Sequence, residues 1–117
     1  MENIIVGLIN GRHKTPVDRY IFDSIEDVHD FDAMHRHIMD WISKNVGIGY
    51  TNFGHGINQA SDDDVPCFVG EKRLIVFVTG LTAATAELIR CCALNGVRLI
   101  LMHYDKVEGD YKGQYIF

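Results

Sequence analysis

The amino-acid sequence predicts an α/β (α+β) fold: a single small mixed β-sheet of about five or six strands with two helices, containing one central βαβ unit. Three observations carry this. Leu74–Val78 is a short, almost wholly apolar run rich in β-branched residues. Val97–Met102 is a second such run, interrupted only by Arg98. Between them, Thr82–Leu94 has helical character, with Gly80 before it and the stop signal Asn95-Gly96 after it. Strand, tight loop, helix, tight loop, strand is the βαβ order, which implies parallel strands and a right-handed crossover. Continuous apolar runs predict strands covered on both faces, since alternation would leave one face polar. On that reading Ile100→Asp buries an unpaired charge and unfolds the domain.

The remaining elements follow in chain order. Ile4–Ile9 reads as a first strand, with Gly7 inside it marking a bulge or a close approach by another backbone. Asn10-Gly11 is a turn signal of the kind found at hairpin tips. Pro16 makes the next piece a loop or an edge. Arg19–Phe22 is a short second strand. Ser24–Val46 is the clearest helix, with Ser24 and Asp27 at capping-box spacing and Val28, Phe31, His35, Ile38, Ile42 and Val46 at helical spacing. Ile48–Gly70 has no period and carries the acidic run Asp62–Asp64; Val65–Val69 is its one candidate strand. Tyr111–Phe117 alternates as a final strand, antiparallel to Val97–Tyr104.

At 117 residues the chain is one domain, spanning 1–117, and nearly half its residues are hydrophobic. A net charge of −5 argues against binding long nucleic acid, which needs a basic face. It leaves room for a small anionic ligand, which one helix start and one arginine can hold. No window reaches the roughly 18 apolar residues of a membrane span. Met1-Glu2-Asn3 is acidic where a signal peptide needs a basic region. The three cysteines, Cys67, Cys91 and Cys92, do not form a disulfide pattern, so a reducing cytoplasm is the expected compartment.

Two loops stand out as ligand-binding candidates. Thr79-Gly80-Leu81-Thr82 joins the end of a buried strand to a helix start, with Thr82 as the expected N-cap. Free N–H groups and the helix dipole make such a place receptive to phosphate. The alternative is an ordinary β–α turn. Standard nucleotide loops are excluded by the absence of G-x-x-x-x-G-K-[ST] and G-x-G-x-x-G. Asn10-Gly11-Arg12-His13 is the second candidate, since the planar Arg12 guanidinium matches paired phosphate oxygens. Its alternative is a solvated hairpin tip.

Other polar groups suggest less. His29, His35 and His37 lie on the first predicted helix without an i,i+3 or i,i+4 pair, so they do not converge on an ion. Asp62–Asp64 reads as a solvated loop, and no metal or cofactor is expected. His103, beside Tyr104 at a strand end, can bind or titrate. Cys91 and Cys92 sit mid-helix, away from the dipole that lowers a thiol pKa. No serine lies in a nucleophile elbow, so no catalytic constellation is expected. The helix Thr82–Leu94 is small and apolar on both sides, which points to a subunit interface and a homo-oligomer.

The layout resembles the phage Thoeris anti-defence sponge proteins, which sequester cyclic ADP-ribose isomers made by host immune sensors. The residues that carry the resemblance are Asn10-Gly11-Arg12-His13, Thr79-Gly80-Leu81-Thr82, Asn95-Gly96 and the Tyr115-Ile116-Phe117 end. It covers the whole small domain and rests on element order and length; no family contact residue is transferred. It implies a small sheet with two helices, oligomerisation in the host cytoplasm, and tight binding of a nucleotide signal without turnover. The side chains available for that task are Arg12 and Arg98 for charge and Phe77, Tyr104 and Tyr111 for stacking, with Thr79, Gly80, Thr82 and His103 around them. Two other readings stay open: a small nuclease or hydrolase using His103 or His13 as acid–base, and an interaction module with no small ligand.

Overall fold

The computed structural model describes residues 2–11, 15–47 and 72–117. The elements are β1 (Glu2–Ile9), β2 (Tyr20–Phe22), α1 (Phe31–Asn45), β3 (Lys72–Phe77), α2 (Thr82–Asn95), β4 (Arg98–Asp105) and β5 (Asp110–Tyr115). They form one five-stranded sheet in the order β2-β1-β3-β4-β5 with two helices. The first four strands run parallel, and β5 returns antiparallel to β4. The predicted fold class is therefore the observed one. Arg12, His13, Lys14, the acidic run Asp62–Asp64, Cys67 and the candidate strand Val65–Val69 lie outside the described residues.

The parallel register brings Ile4, Leu74 and Leu99 level across the sheet, then Val6, Val76 and Leu101. These rows are buried beneath Met34, Ile38 and Ile42 of α1 and Ala84, Leu88 and Cys92 of α2. The two helices pack on each other over this one face. The rows between them show the other face: Ile5, Ile75, Ile100 and Tyr115, then Gly7, Phe77, Met102 and Gly113. Ile5 is 50% exposed, and Ile75, Phe77 and Met102 are only half-buried. The expectation of strands covered on both faces is thus corrected, because both crossover helices lie on the same side. In the first of these rows only Ile100 is buried, held between β3 and β5.

Three local expectations also change. Residues 24–30 are not helical, and α1 begins at Phe31. Asp27 Oδ1 accepts the His29 N–H in a local turn, while Asp30 Oδ1 accepts the Ala33 N–H at 3.0 Å as the actual cap. Short acidic side chains compete for backbone donors in this way and break a helix at its start. Asn10-Gly11, with Gly11 at φ 83°, is a turn but not a hairpin tip, since β1 and β2 are parallel. In α2 the N-cap is Leu81, with no side-chain cap, and Thr82 is the first helical residue. The stop signal after α2 holds as read. Gly96 adopts the left-handed conformation that closes α2, its N–H donating to the Cys92 carbonyl. Gly7 does mark a close approach, but by a side chain and not by a backbone: it admits the Tyr20 ring, with which any β-carbon there would collide.

Candidate functional site

The chain leaves β1 for β2 on one side, then returns past β1 to build β3 and β4 on the other. The winding direction therefore reverses between β1 and β3. In open α/β sheets the crevice beyond the carboxyl ends of the strands at such a reversal is the usual ligand position. The two ends that meet here are Ile9-Asn10-Gly11 and Thr79-Gly80-Leu81. These belong to the two loops that the sequence singles out, 70 residues apart in the chain.

Thr79 ties them together. Its buried Oγ1 accepts the Ile9 N–H at 2.9 Å and donates to the Ile9 carbonyl at 3.2 Å. The hydroxyl's proton and one of its lone pairs are used within the fold, so Thr79 positions the crevice. Val78 N–H donates to the Met102 carbonyl at 3.0 Å, which keeps the strand end flush with β4. Asn10 N–H donates to the Phe22 carbonyl at 2.9 Å on the opposite side. Thr79→Val should leave the buried Ile9 N–H without its acceptor and destabilise the protein by about 1–3 kcal/mol. Thr79→Ser should retain most of that stability. Thermal denaturation of the pair checks this, and a Thr79→Val protein as stable as wild type would refute the clamp.

Beyond Thr79, Gly80 turns the chain at φ 97°, a conformation that L side chains disfavour, and α2 begins. Its first-turn N–H groups have no intrahelical acceptor by virtue of helix geometry. Leu81 offers them no side-chain oxygen, and the first turn holds no acidic residue. The start of α1 differs, with Asp30 as cap and Asp32 in its first turn. The positive end of the α1 dipole is thus already answered by carboxylates, and that of α2 is not. A cleft of about 280 Å³ between the end of β2 and α1 is edged by Glu26, Asp27 and Asp30, so its charge opposes an anion.

On the face away from the helices, Phe77, Tyr104 and Tyr111 converge toward the same edge. Phe77 and Tyr111 meet edge to face with centroids 4.7 Å apart, and Tyr104 and Tyr111 at 5.2 Å. Tyr104 is half-exposed and lies two residues beyond Met102, the cross-strand partner of Phe77. It is therefore level with Thr79. His103 points to the other side of β4, where its Nε2 bonds the Gln114 Oε1 at 2.8 Å. Arg98 does not join them. It opens β4 beside Arg73 at the amino ends of the strands, six residues or roughly 20 Å from Tyr104. Its Nε is buried and has no hydrogen-bond partner among the described residues. Arg12, the other candidate arginine, directly follows Gly11 in the chain.

A second polar cluster escaped the sequence reading because it spans two helices. His35 of α1 lies against Glu87 and Cys91 of α2, with Nδ1 3.1 Å from Glu87 Oε1 and 3.4 Å from Cys91 Sγ. Arg90 Nη1 reaches Glu87 Oε1 at 3.3 Å. Burial, then the Glu87 carboxylate, push the Cys91 thiol up to about 11, against the pull of Arg90. Burial pushes Cys92 further in the same direction. Neither thiol is an activated nucleophile. Among the described residues no helix is long and apolar enough to cross a membrane. The chain matches no protein-family model, no curated protein and no solved structure.

Proposed function

We propose that the protein binds a phosphate-bearing cyclic nucleotide at the crevice between β1 and β3 and sequesters it without cleaving it. The observation that carries this reading is the uncompensated start of α2 at the winding reversal, with an aromatic row reaching the same edge. A phosphate would take the free N–H groups of the first turn. The base would stack on Tyr104 or Phe77, by analogy with the roughly 1–3 kcal/mol per base of single-strand binders. Arg12 would supply the remaining positive charge; the position of Arg98 at the far edge removes it from this role. The ligand class fits a cyclic immune signal such as a cyclic ADP-ribose isomer, as the resemblance to the phage anti-defence sponges implies. On that reading the protein works as a homo-oligomer in the host cytoplasm.

Calorimetry with cyclic ADP-ribose isomers and cyclic di- and trinucleotides tests it. At least one should bind below about 10 µM, some 7 kcal/mol. If none does, the reading is wrong. A second reading is favoured by one observation: His103 lies exposed near the same edge of β4, with its ring held by Gln114. A hydrolase using His103 as acid–base would return cleaved nucleotide after heat denaturation, whereas a sponge returns it intact. His103→Gln should leave a sponge's affinity within about twofold, a change of only some 0.4 kcal/mol.

A further inference from the structure

We propose that His35, Glu87 and Cys91 form a binding site for a zinc-class divalent cation that clips α1 to α2. Glu87 and Cys91 are four residues apart, so they project from the same side of α2. His35 meets them from α1. The three donor atoms lie within 4.8 Å of one another. Zinc bonds of about 2.0–2.3 Å at tetrahedral angles put ligand atoms roughly 3.4–3.6 Å apart. His35 Nδ1 is 3.4 Å from Cys91 Sγ and 3.1 Å from Glu87 Oε1, so two of the three separations are already close to that spacing before any ion enters.

The donor types select the ion. A thiolate, an imidazole and a carboxylate suit zinc or cobalt, whereas magnesium and calcium prefer oxygen alone. Three protein donors leave a fourth position open. Arg90 stands against two of the donors, with Nη1 3.4 Å from His35 Nδ1 and 3.3 Å from Glu87 Oε1. Its side chain is 61% exposed and free to swing into solvent, taking its positive charge with it as the cation replaces it. The His35 and Glu87 side chains keep 26% and 15% of their surface exposed, so an ion has a path in. As the metal–sulfur bond forms, the Cys91 thiol releases its proton to solvent and the thiolate becomes the ligand. The site is independent of the nucleotide crevice.

The test uses full-length protein stripped of metal with a chelator and then titrated with cobalt(II) near neutral pH. Wild type should develop a thiolate-to-cobalt charge-transfer absorption, and zinc should abolish it by competition. Cys91→Ser should lack the absorption, and Cys67→Ser should keep it. His35→Gln replaces one partly buried polar side chain with another and should fold. Its zinc affinity should fall by more than about a hundredfold, since even outer-shell partners of a metal are worth about 10–100-fold. Zinc should raise the melting temperature of wild type but not of His35→Gln, because binding to the folded state alone stabilises it. The proposal is overturned if wild type shows no such absorption, if Cys91→Ser retains it, or if His35→Gln binds zinc as wild type does.

Discussion

Leu99→Asp is expected to yield no folded protein, while Ile5→Asp folds with a loss of about 1 kcal/mol or less. Leu99 is fully buried, level with Ile4 and Leu74 and beneath the helices. A carboxylate there has neither water nor a partner, and the penalty is as large as the whole stability of a small domain, about 5–15 kcal/mol. Ile5 lies one residue along β1 from Ile4 and faces the other way, half in solvent. Substitutions at such positions cost little. Ile100→Asp falls between the two, since Ile100 is on the open face yet buried among its neighbours. Circular dichroism melts of the three variants give the ranking. If Ile5→Asp unfolds and Leu99→Asp does not, the two faces have been assigned the wrong way round.

That contrast also marks what local sequence reveals and what it withholds. The runs Leu74–Val78 and Val97–Met102 announce strands, because β-branched and apolar residues have few other stable uses in so short a stretch. They do not reveal that both crossover helices pack on one side, since an apolar residue facing a half-open surface reads like one facing a core. Arg98 is a different case. The predicted parallel βαβ unit already implies that Arg98 opens its strand at the amino edge while Thr79 and Gly80 follow theirs at the carboxyl edge, and the Arg73–Arg98 register bears this out; grouping it with them in one site overlooks strand direction. The order of the strands, by contrast, is what places Asn10 beside Thr79. Both loops were legible as turns with receptive backbone, but their meeting depends on the β2-β1-β3 order. The start of α1 was misread because Ser24, Asp27 and Asp30 are all good caps, and the choice between them rests on which turn lets Met34, Ile38 and Ile42 reach the sheet. The spacing of His35 to the other histidines of the first predicted helix gives no hint of a ligand role. Its partners Glu87 and Cys91 lie on another helix, more than 50 residues away in the chain.

The start of α2 offers a substitution whose effects on stability and on binding should have opposite signs. Thr82 is exposed at the first helical position, and no acidic side chain answers the dipole there. Thr82→Glu puts a carboxylate next to the positive helix end, worth about 0.3–1 kcal/mol. Glutamate is also the better helix former. The free protein should melt about 2–5 °C higher. The same carboxylate stands where the proposed ligand brings its phosphate, so it repels the anion and competes for the N–H donors. Affinity for the cyclic nucleotide should drop by about a hundredfold or more, some 2.7 kcal/mol. Thr82→Gln keeps the size of the new side chain without its charge and should lose no more than about tenfold, some 1.4 kcal/mol. Calorimetry and thermal melts on the three proteins measure both quantities. A more stable Thr82→Glu protein that binds nucleotide as tightly as wild type would move the phosphate away from α2.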